Sequence, residues 1–232
     1  IVVRKTSDLI DSLVESAAPV RRLAPPLLRT CIWLALAALI LALLCAAHGV
    51  RPDLSMRLKQ PVFVVSMFGA LATAVLAAFA SFKLNLPESP RWWLLLPLPG
   101  FAVWVSTIGY GCLTDWVSMN PNGIQMGEAA RCFATLLMTS APLSVAMLIM
   151  LRHAAPLRPT MVSSAGGLAI AAVTSFALSL LHNLDATIMI LIWNLGMAAL
   201  IAGMAIALGR PLLAWVAARV MPLLPPQLSR PQ

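Results

Sequence analysis

Six long apolar segments, none containing Lys, Arg, Asp or Glu, divide the 232-residue chain. They are Cys31–Ala47, Pro61–Phe82, Trp92–Cys112, Cys132–Leu151, Thr160–Leu181 and Thr187–Leu208. All but the first have 20 to 22 residues, and roughly 20 apolar residues in a helix cross the hydrocarbon core of a bilayer. Because the backbone must satisfy its own hydrogen bonds there, each segment is expected to be helical. The pattern predicts an all-α polytopic membrane protein built as a bundle of six transmembrane helices.

The residues before the first apolar segment predict a short amphipathic cytoplasmic helix, Asp8–Ala18, which Pro19 ends. Its apolar stripe at helical spacing consists of Leu9, Ile10, Leu13, Val14 and Ala17. A helix this short is marginal alone in water, so the stripe needs a partner. The helix carries three acids and no Lys or Arg, which favours a protein partner over an anionic membrane surface.

Three regions follow from this pattern. Residues 1–28 form a cytoplasmic N-terminal segment, residues 29–208 a six-helix transmembrane domain, and residues 209–232 a cytoplasmic tail. The tail begins with a Gly-Arg-Pro stop signal and contains further prolines that oppose helix. The longest loop, Leu113–Arg131, is too short for a soluble domain.

The distribution of basic residues predicts the orientation. With the N-terminus in the cytoplasm, twelve Lys and Arg residues fall in inside segments and four in outside segments. Because loops rich in Lys and Arg remain cytoplasmic, both termini are expected inside, in a bacterial inner membrane that the chain crosses several times. The net charge of +8 is therefore interpreted as a topology signal, not as a sign of direct nucleic-acid binding.

Prolines and small residues predict features inside the bundle. Pro97, Pro99 and Pro142 predict kinks in the third and fourth segments. Small residues that allow close helix packing line the fifth and sixth segments. They are Gly166, Gly167, Ala171, Gly196, Ala199, Gly203 and Ala207.

The apolar segments contain little that suggests catalysis or transport. Their deepest strongly polar side chain is that of Asn194, whereas transporters and proton relays place ionisable groups at membrane depth. The chain has no C-x-x-C motif, phosphate loop or nucleophile elbow. We therefore expect neither an enzymatic activity nor a cofactor.

Cys112 and Cys132 both lie at the outer boundary of the predicted bundle, joined by the longest loop. Thiols on that side can act as redox or soft-metal sensors, and Arg131 favours the thiolate of Cys132. The alternative for these two residues, and for Cys31 and Cys45, is a small buried hydrophobic side chain. A metal site with the nearby residues His48, His182 and Asp185 matches no standard ligand spacing, so the metal is unknown.

Several short motifs together resemble one protein family. They are Asp8-Leu9-Ile10-Asp11-Ser12-Leu13, Ala18-Pro19-Val20-Arg21-Arg22-Leu23, Gly49-Val50-Arg51-Pro52-Asp53-Leu54, Ser89-Pro90-Arg91-Trp92-Trp93, Gly111-Cys112-Leu113-Thr114-Asp115-Trp116 and Gly127-Glu128-Ala129-Ala130-Arg131-Cys132. In this order the chain resembles the NrsF family from about Asp8 to Arg210. The resemblance implies an inner-membrane anti-sigma factor. Such a protein holds an extracytoplasmic-function (ECF) sigma factor of the sigma-F type and releases it on oxidative or heavy-metal stress.

The resemblance also implies two periplasmic functional cysteines, of which one matches Cys132. The other is expected after the fifth helix in a Leu-His-Cys context, where this chain reads Leu181-His182-Asn183. Three alternatives follow: Cys112 supplies the second thiol, Cys132 acts alone, or the sensor is altered.

The sequence is therefore interpreted as a membrane anti-sigma factor without enzymatic activity. Its expected partners are an ECF sigma factor on the cytoplasmic side and the lipid bilayer. The expected sigma-binding residues are Leu9, Ile10, Leu13 and Val14. The alternative functions are a small membrane transporter or ligand-binding protein and, less in keeping with the motifs, a membrane thiol oxidoreductase.

Overall fold

A computed structural model describes residues 23–114, 126–151 and 159–181, together with Ala207. Five long helices occur in these ranges, and no strand does. They are α1 (Pro26–His48), α2 (Pro61–Leu84), α3 (Leu98–Thr114), α4 (Met126–Leu151) and α5 (Pro159–Leu181). A helical turn, Leu54–Arg57, precedes α2, and a 3₁₀ helix, Arg91–Leu95, precedes α3. The predicted helix Asp8–Ala18, the sixth apolar segment apart from Ala207, and the tail lie outside the described residues.

Prolines and a glycine set the bounds of the first two helices. α1 and α2 each begin with a proline, whose missing N–H and fixed φ suit the first helical position. α1 ends before Gly49, which has a φ of 78° and donates its N–H to the Cys45 carbonyl at 2.9 Å. Glycine adopts this positive φ without strain because it has no Cβ.

The sequence predicts one kinked helix over the third apolar segment, but the structure has two elements there. Leu96 donates its N–H to Trp93 in the 3₁₀ pattern, and Phe101 donates to Pro97 at 2.9 Å in the α pattern. Pro97 and Pro99 have no N–H, so neither can continue a helical hydrogen-bond ladder from the 3₁₀ helix. The two prolines therefore separate the elements.

Four of the helices are long and apolar enough to cross a membrane. These spans are Pro26–His48, Pro61–Leu84, Ala134–Leu151 and Thr160–Leu181. α3 has 17 residues and would extend about 26 Å, which is less than the roughly 30 Å of a hydrocarbon core. The structure thus supports four of the six predicted spans within the described ranges.

The described helices alternate in direction. Early residues of α1 contact the end of α4, where Trp33 Nε1 donates to the Leu143 carbonyl at 3.2 Å. The end of α2 contacts the start of α5, where Ser81 Oγ donates to Val162 at 3.1 Å. This arrangement defines two ends of the bundle: the Pro26 end (residues 23–26, 84–91, 151, 159 and 160) and the Gly49 end (residues 49–60 and 181, with the end of α3 and the start of α4).

Small residues place α2 at the centre, where it packs against α1, α3 and α5. A Cβ on Gly69 would lie 2.9 Å from the backbone nitrogen of Trp104, and one on Gly100 would lie 3.0 Å from that of Thr73. The backbones of α2 and α3 therefore approach each other at two places one turn apart. The predicted small-residue face of α5 is also buried, at Gly166, Gly167 and Ala171, whereas the corresponding face of the sixth segment lies outside the described ranges.

Candidate functional site

The structure describes only some of the predicted functional residues. The expected sigma-binding residues Leu9, Ile10, Leu13 and Val14 lie outside the described residues. Cys112 is in the last turn of α3 and Cys132 in the second turn of α4. The alternating directions place both positions at the Gly49 end, although their side chains are outside the described part, so their pairing stays a prediction.

The other two cysteines have described side chains. Cys31 is exposed and Cys45 is half-buried, and both are free thiols. The expectation that Cys31 is a buried hydrophobic side chain is therefore wrong, because α1 turns Arg29, Thr30 and Trp33 toward the protein and Cys31 away from it.

Arg51 holds the loop after α1 against the end of α5 at the Gly49 end. Its backbone N–H donates to the Leu180 carbonyl at 3.1 Å. Its buried guanidinium donates to both carboxylate oxygens of Asp53, at 2.7 and 2.6 Å. These hydrogen bonds lower the pKa of Asp53 from 3.8 to about 2, because they favour the ionised carboxylate. The loop is thus fixed three residues before Asn183.

No group of three or more His, Cys, Asp or Glu residues forms a metal site within the described part of the chain. His48 Nδ1 lies 3.3 Å from the Leu44 carbonyl of its own helix. His182 and Asp185 lie outside the described residues, so the metal-site alternative stays a prediction.

A cluster of buried polar groups lies at the Pro26 end, where the sequence predicted none. Arg29 is only 5% exposed. Its Nη2 donates to the Met150 carbonyl, and its guanidinium carbon lies 4.8 Å from the centre of the Phe82 ring. Asn85, 2% exposed, donates through Nδ2 to the Leu151 carbonyl at 3.2 Å. The last carbonyls of a helix have no partner within it, so α1 and α2 supply donors to the end of α4.

Trp33 continues this contact along α4. It follows Arg29 by one turn of α1, and its acceptor, Leu143, precedes Met150 by two turns of α4. We call this set of side chains and acceptors the Arg29 junction: Arg29, Trp33 and Asn85 with the carbonyls of Leu143, Met150 and Leu151. It joins α1 and α2 to the part of α4 that follows Pro142.

Among the residues that the structure describes, two buried atoms of the Arg29 junction have no hydrogen-bond partner, namely Arg29 Nη1 and Asn85 Oδ1. Buried polar atoms are nearly always paired, so each exception calls for an explanation. By contrast, several buried hydroxyls bond within their own helix, as Thr73 does to Gly69 and Thr139 to Thr135. Those hydroxyls donate to carbonyls of their own helices.

Sequence reasoning missed the Arg29 junction because it counted Arg29 only among the inside basic residues that orient the chain. The usable signal was Arg29 between Leu27-Leu28 and an apolar segment, with Trp33 four residues later on the same helical face. An arginine so placed must either reach the membrane surface or find acceptors inside the protein.

Comparison with known proteins gives two matches. Residues 13–215 match the NrsF family, described as "Negative regulator of sigma F". A protein of Azospira oryzae named "Probable anti-sigma-F factor NrsF" is 29% identical over 219 residues, which cover 91% of this chain and all of that protein. No solved structure matches the chain. The family match includes α1–α5 and both Cys112 and Cys132.

Proposed function

The chain belongs to the NrsF family of negative regulators of sigma F, and from this premise we propose that it is a membrane-bound anti-sigma factor for an ECF sigma factor. The family match over residues 13–215 carries the proposal. The family is one of regulators, and the apolar helices are consistent with a protein that works in the membrane.

The proposed sigma-binding element is the N-terminal segment. Its apolar stripe of Leu9, Ile10, Leu13 and Val14 fits the recognition mode in which an amphipathic helix lies in a groove of its partner. Three acids and no Lys or Arg within Asp8–Ala18 favour a protein over an anionic lipid surface. The segment leads directly into α1 at Pro26, so a bound sigma factor would be held at the Pro26 end.

The proposed orientation places the Pro26 end in the cytoplasm of an inner-membrane protein with both termini inside. The excess of twelve basic residues over four supports it. The Gly49 end, with the positions of Cys112 and Cys132, then faces the periplasm, where disulfides persist. Sensing of oxidants or heavy metals by these thiols is part of the proposal, with Asn183 in place of the second family cysteine.

The experiment that tests this function is co-purification of the full chain with an epitope-tagged sigma factor encoded in the same genome, from membranes dissolved in mild detergent. The wild-type chain should retain the sigma factor, and a chain starting at residue 23 should not. The variant Leu13→Asp should also lose it. Burial of a leucine contributes about 1.5–3 kcal/mol, and burial of a charge in its place costs more.

The matched control is Ser12→Asp, which adds the same charge one residue away, outside the apolar stripe. Retention of the sigma factor by Ser12→Asp and its loss in Leu13→Asp would support the docking face. Equal retention by the wild type and the chain starting at residue 23, with both in the membrane, would refute the N-terminal segment as the binding element.

A further inference from the structure

The Arg29 junction connects the two parts of the molecule that the proposed function needs to communicate. α4 begins at the Gly49 end, where it carries Cys132 in its second turn, and ends at the Pro26 end with Met150 and Leu151. α1 begins at the Pro26 end, immediately after the N-terminal segment. The contacts of Arg29 and Trp33 with α4 therefore join the helix that carries a proposed sensor thiol to the helix that carries the proposed sigma-binding segment.

The contacts hold one particular part of α4. Their acceptors are the carbonyls of Leu143, Met150 and Leu151, and all three residues follow Pro142, which lies inside the helix. A proline within a helix removes a hydrogen bond and allows a bend. The Arg29 junction thus joins the portion of α4 after Pro142 to the start of α1 and the end of α2.

Two polar atoms of the Arg29 junction have no hydrogen-bond partner among the described residues. Arg29 Nη1 is a buried donor and Asn85 Oδ1 a buried acceptor, and their side chains donate to successive carbonyls of α4. A displacement of the end of α4 that lets these atoms pair, directly or through a water molecule, would relieve an unfavourable burial.

We propose that Arg29 is the coupling residue of the protein: its hydrogen bond to Met150 fixes the start of α1 to the end of α4, and movement of α4 repositions the N-terminal segment through it. The consequence for sigma release rests on the proposed function, whereas the physical connection between the two helices does not. Arg29 binds no sigma factor in this proposal and acts only by positioning α1.

The physical connection is tested with spin labels at two exposed positions, Leu27 on α1 and Val145 on α4, in a full-length chain whose four native cysteines are replaced by alanine. Pulsed electron paramagnetic resonance in lipid nanodiscs gives the distribution of distances between the labels. The parent should give a narrow distribution. Arg29→Gln should broaden it, and Trp33→Phe, which removes the donor to Leu143 and keeps an aromatic ring, should broaden it less.

The matched control is Ser81→Ala, which removes a buried hydrogen bond at the same end of the bundle but between α2 and α5. Its distribution should stay as narrow as that of the parent. A distribution in Arg29→Gln as narrow as that of the parent would overturn the proposal, as would equal broadening in Ser81→Ala.

The functional consequence is measured in cells with a sigma-dependent reporter, as the ratio of expression with oxidant or Cd²⁺ to expression without. In Arg29→Gln this ratio should fall to about one. Without the bond to Met150, movement of α4 no longer changes the position of α1, and a signal that favours neither of two positions shifts no equilibrium. In Ser81→Ala it should equal the wild-type ratio. A wild-type ratio in Arg29→Gln would overturn the coupling role. If the wild-type chain binds no sigma factor, the proposed function fails, while the distance measurement still decides whether Arg29 joins the helices.

Discussion

Two arginines show how single residues are accommodated where charge is costly. Arg51 at the Gly49 end is 6% exposed and pairs with Asp53, whereas Arg29 at the Pro26 end is 5% exposed and donates to a helix carbonyl. A buried charge is tolerated when it is paired and hydrogen-bonded. Among the described residues, Arg51 therefore has a titratable partner and Arg29 has none. The hydrogen bonds of Arg51 should depend on pH, whereas that of Arg29 to a carbonyl should not.

The first prediction at this scale concerns the Arg51–Asp53 pair. The folded pKa of Asp53, about 2, lies below its ordinary value of 3.8, so the pair contributes stability that is fully present above pH 4. That contribution is lost progressively as the pH falls from about 3.8 through about 2. The ¹³C shift of the Asp53 carboxyl, followed by NMR in micelles, should thus titrate near pH 2.

Arg51→Gln is the variant that tests the cause, because it removes the bidentate donor and keeps a polar side chain. Its Asp53 carboxyl should titrate closer to 3.8, since the hydrogen bonds from Arg51 are the largest cause of the lowered pKa. A carboxyl in the parent that already titrates near 3.8 would contradict the observed pairing.

Helix positions follow from the apolar pattern, but helix ends follow from residues outside it. α1 extends five residues before the predicted start at Cys31 because Pro26 starts the helix and Arg29 finds an acceptor within the protein. α4 begins at Met126, six residues before Cys132, since Glu128, Ala129 and Arg131 favour helix beyond the apolar segment. Apolar composition measures the part of a helix that lies in lipid, not the whole helix.

The contacts between helices were less predictable than the helices. The close approach of α2 and α3 depends on Gly69, which faces Trp104, and on Gly100, which faces Thr73. In each helix the glycine lies four residues before the residue that faces the other glycine. Residue pairs with that spacing occur at many places in the sequence, so the spacing alone does not identify the contact. The Arg29 junction depends on a backbone carbonyl, a group that every residue has and that no sequence pattern marks. Two of its acceptors, the carbonyls of Met150 and Leu151, are available because they lie at a helix end.

A prediction at the scale of elements follows from the α2–α3 contact. Gly69→Ala should destabilise the protein by about 1–3 kcal/mol, because the added Cβ meets backbone atoms of α3 that cannot move alone. Gly100→Ala should act in the same direction through the backbone of Thr73. The free energy of unfolding in detergent, measured for each variant, is the readout.

Gly166→Ala is the matched control for both variants. Its Cβ would meet the Ser81 Oγ at 3.3 Å and the Met147 Cγ at 3.5 Å, both in side chains that can adjust. The loss of stability should be clearly smaller than for Gly69→Ala. Equal losses in the two variants would mean that the α2–α3 backbone contact is not the restrictive one.

For the whole molecule, the alternating helices assign every described connection to one of two ends. Residues 84–91 share the Pro26 end with the end of α4, and residues 49–60 share the Gly49 end with the end of α5. Orientation in the membrane is then a single binary choice, because fixing the side of one connection fixes the side of all others. The twelve-to-four distribution of basic residues favours the Pro26 end as cytoplasmic.

Reporter fusions decide this choice. Fusions of a cytoplasm-active reporter after Ser89 and after Arg158 should be active, because Ser89 precedes α3 and Arg158 precedes α5, and both helices begin at the Pro26 end. A fusion after Asn122 should be active only with a periplasm-active reporter, since it lies between α3 and α4.

The Ser89 and Arg158 fusions control each other, because two further helices in alternation must return the chain to the same side. Agreement between them with inverted sidedness would reverse the proposed orientation and place the thiols in the cytoplasm. Disagreement would refute the alternation itself, and with it the antiparallel contact of α1 with α4 through Trp33 and Leu143.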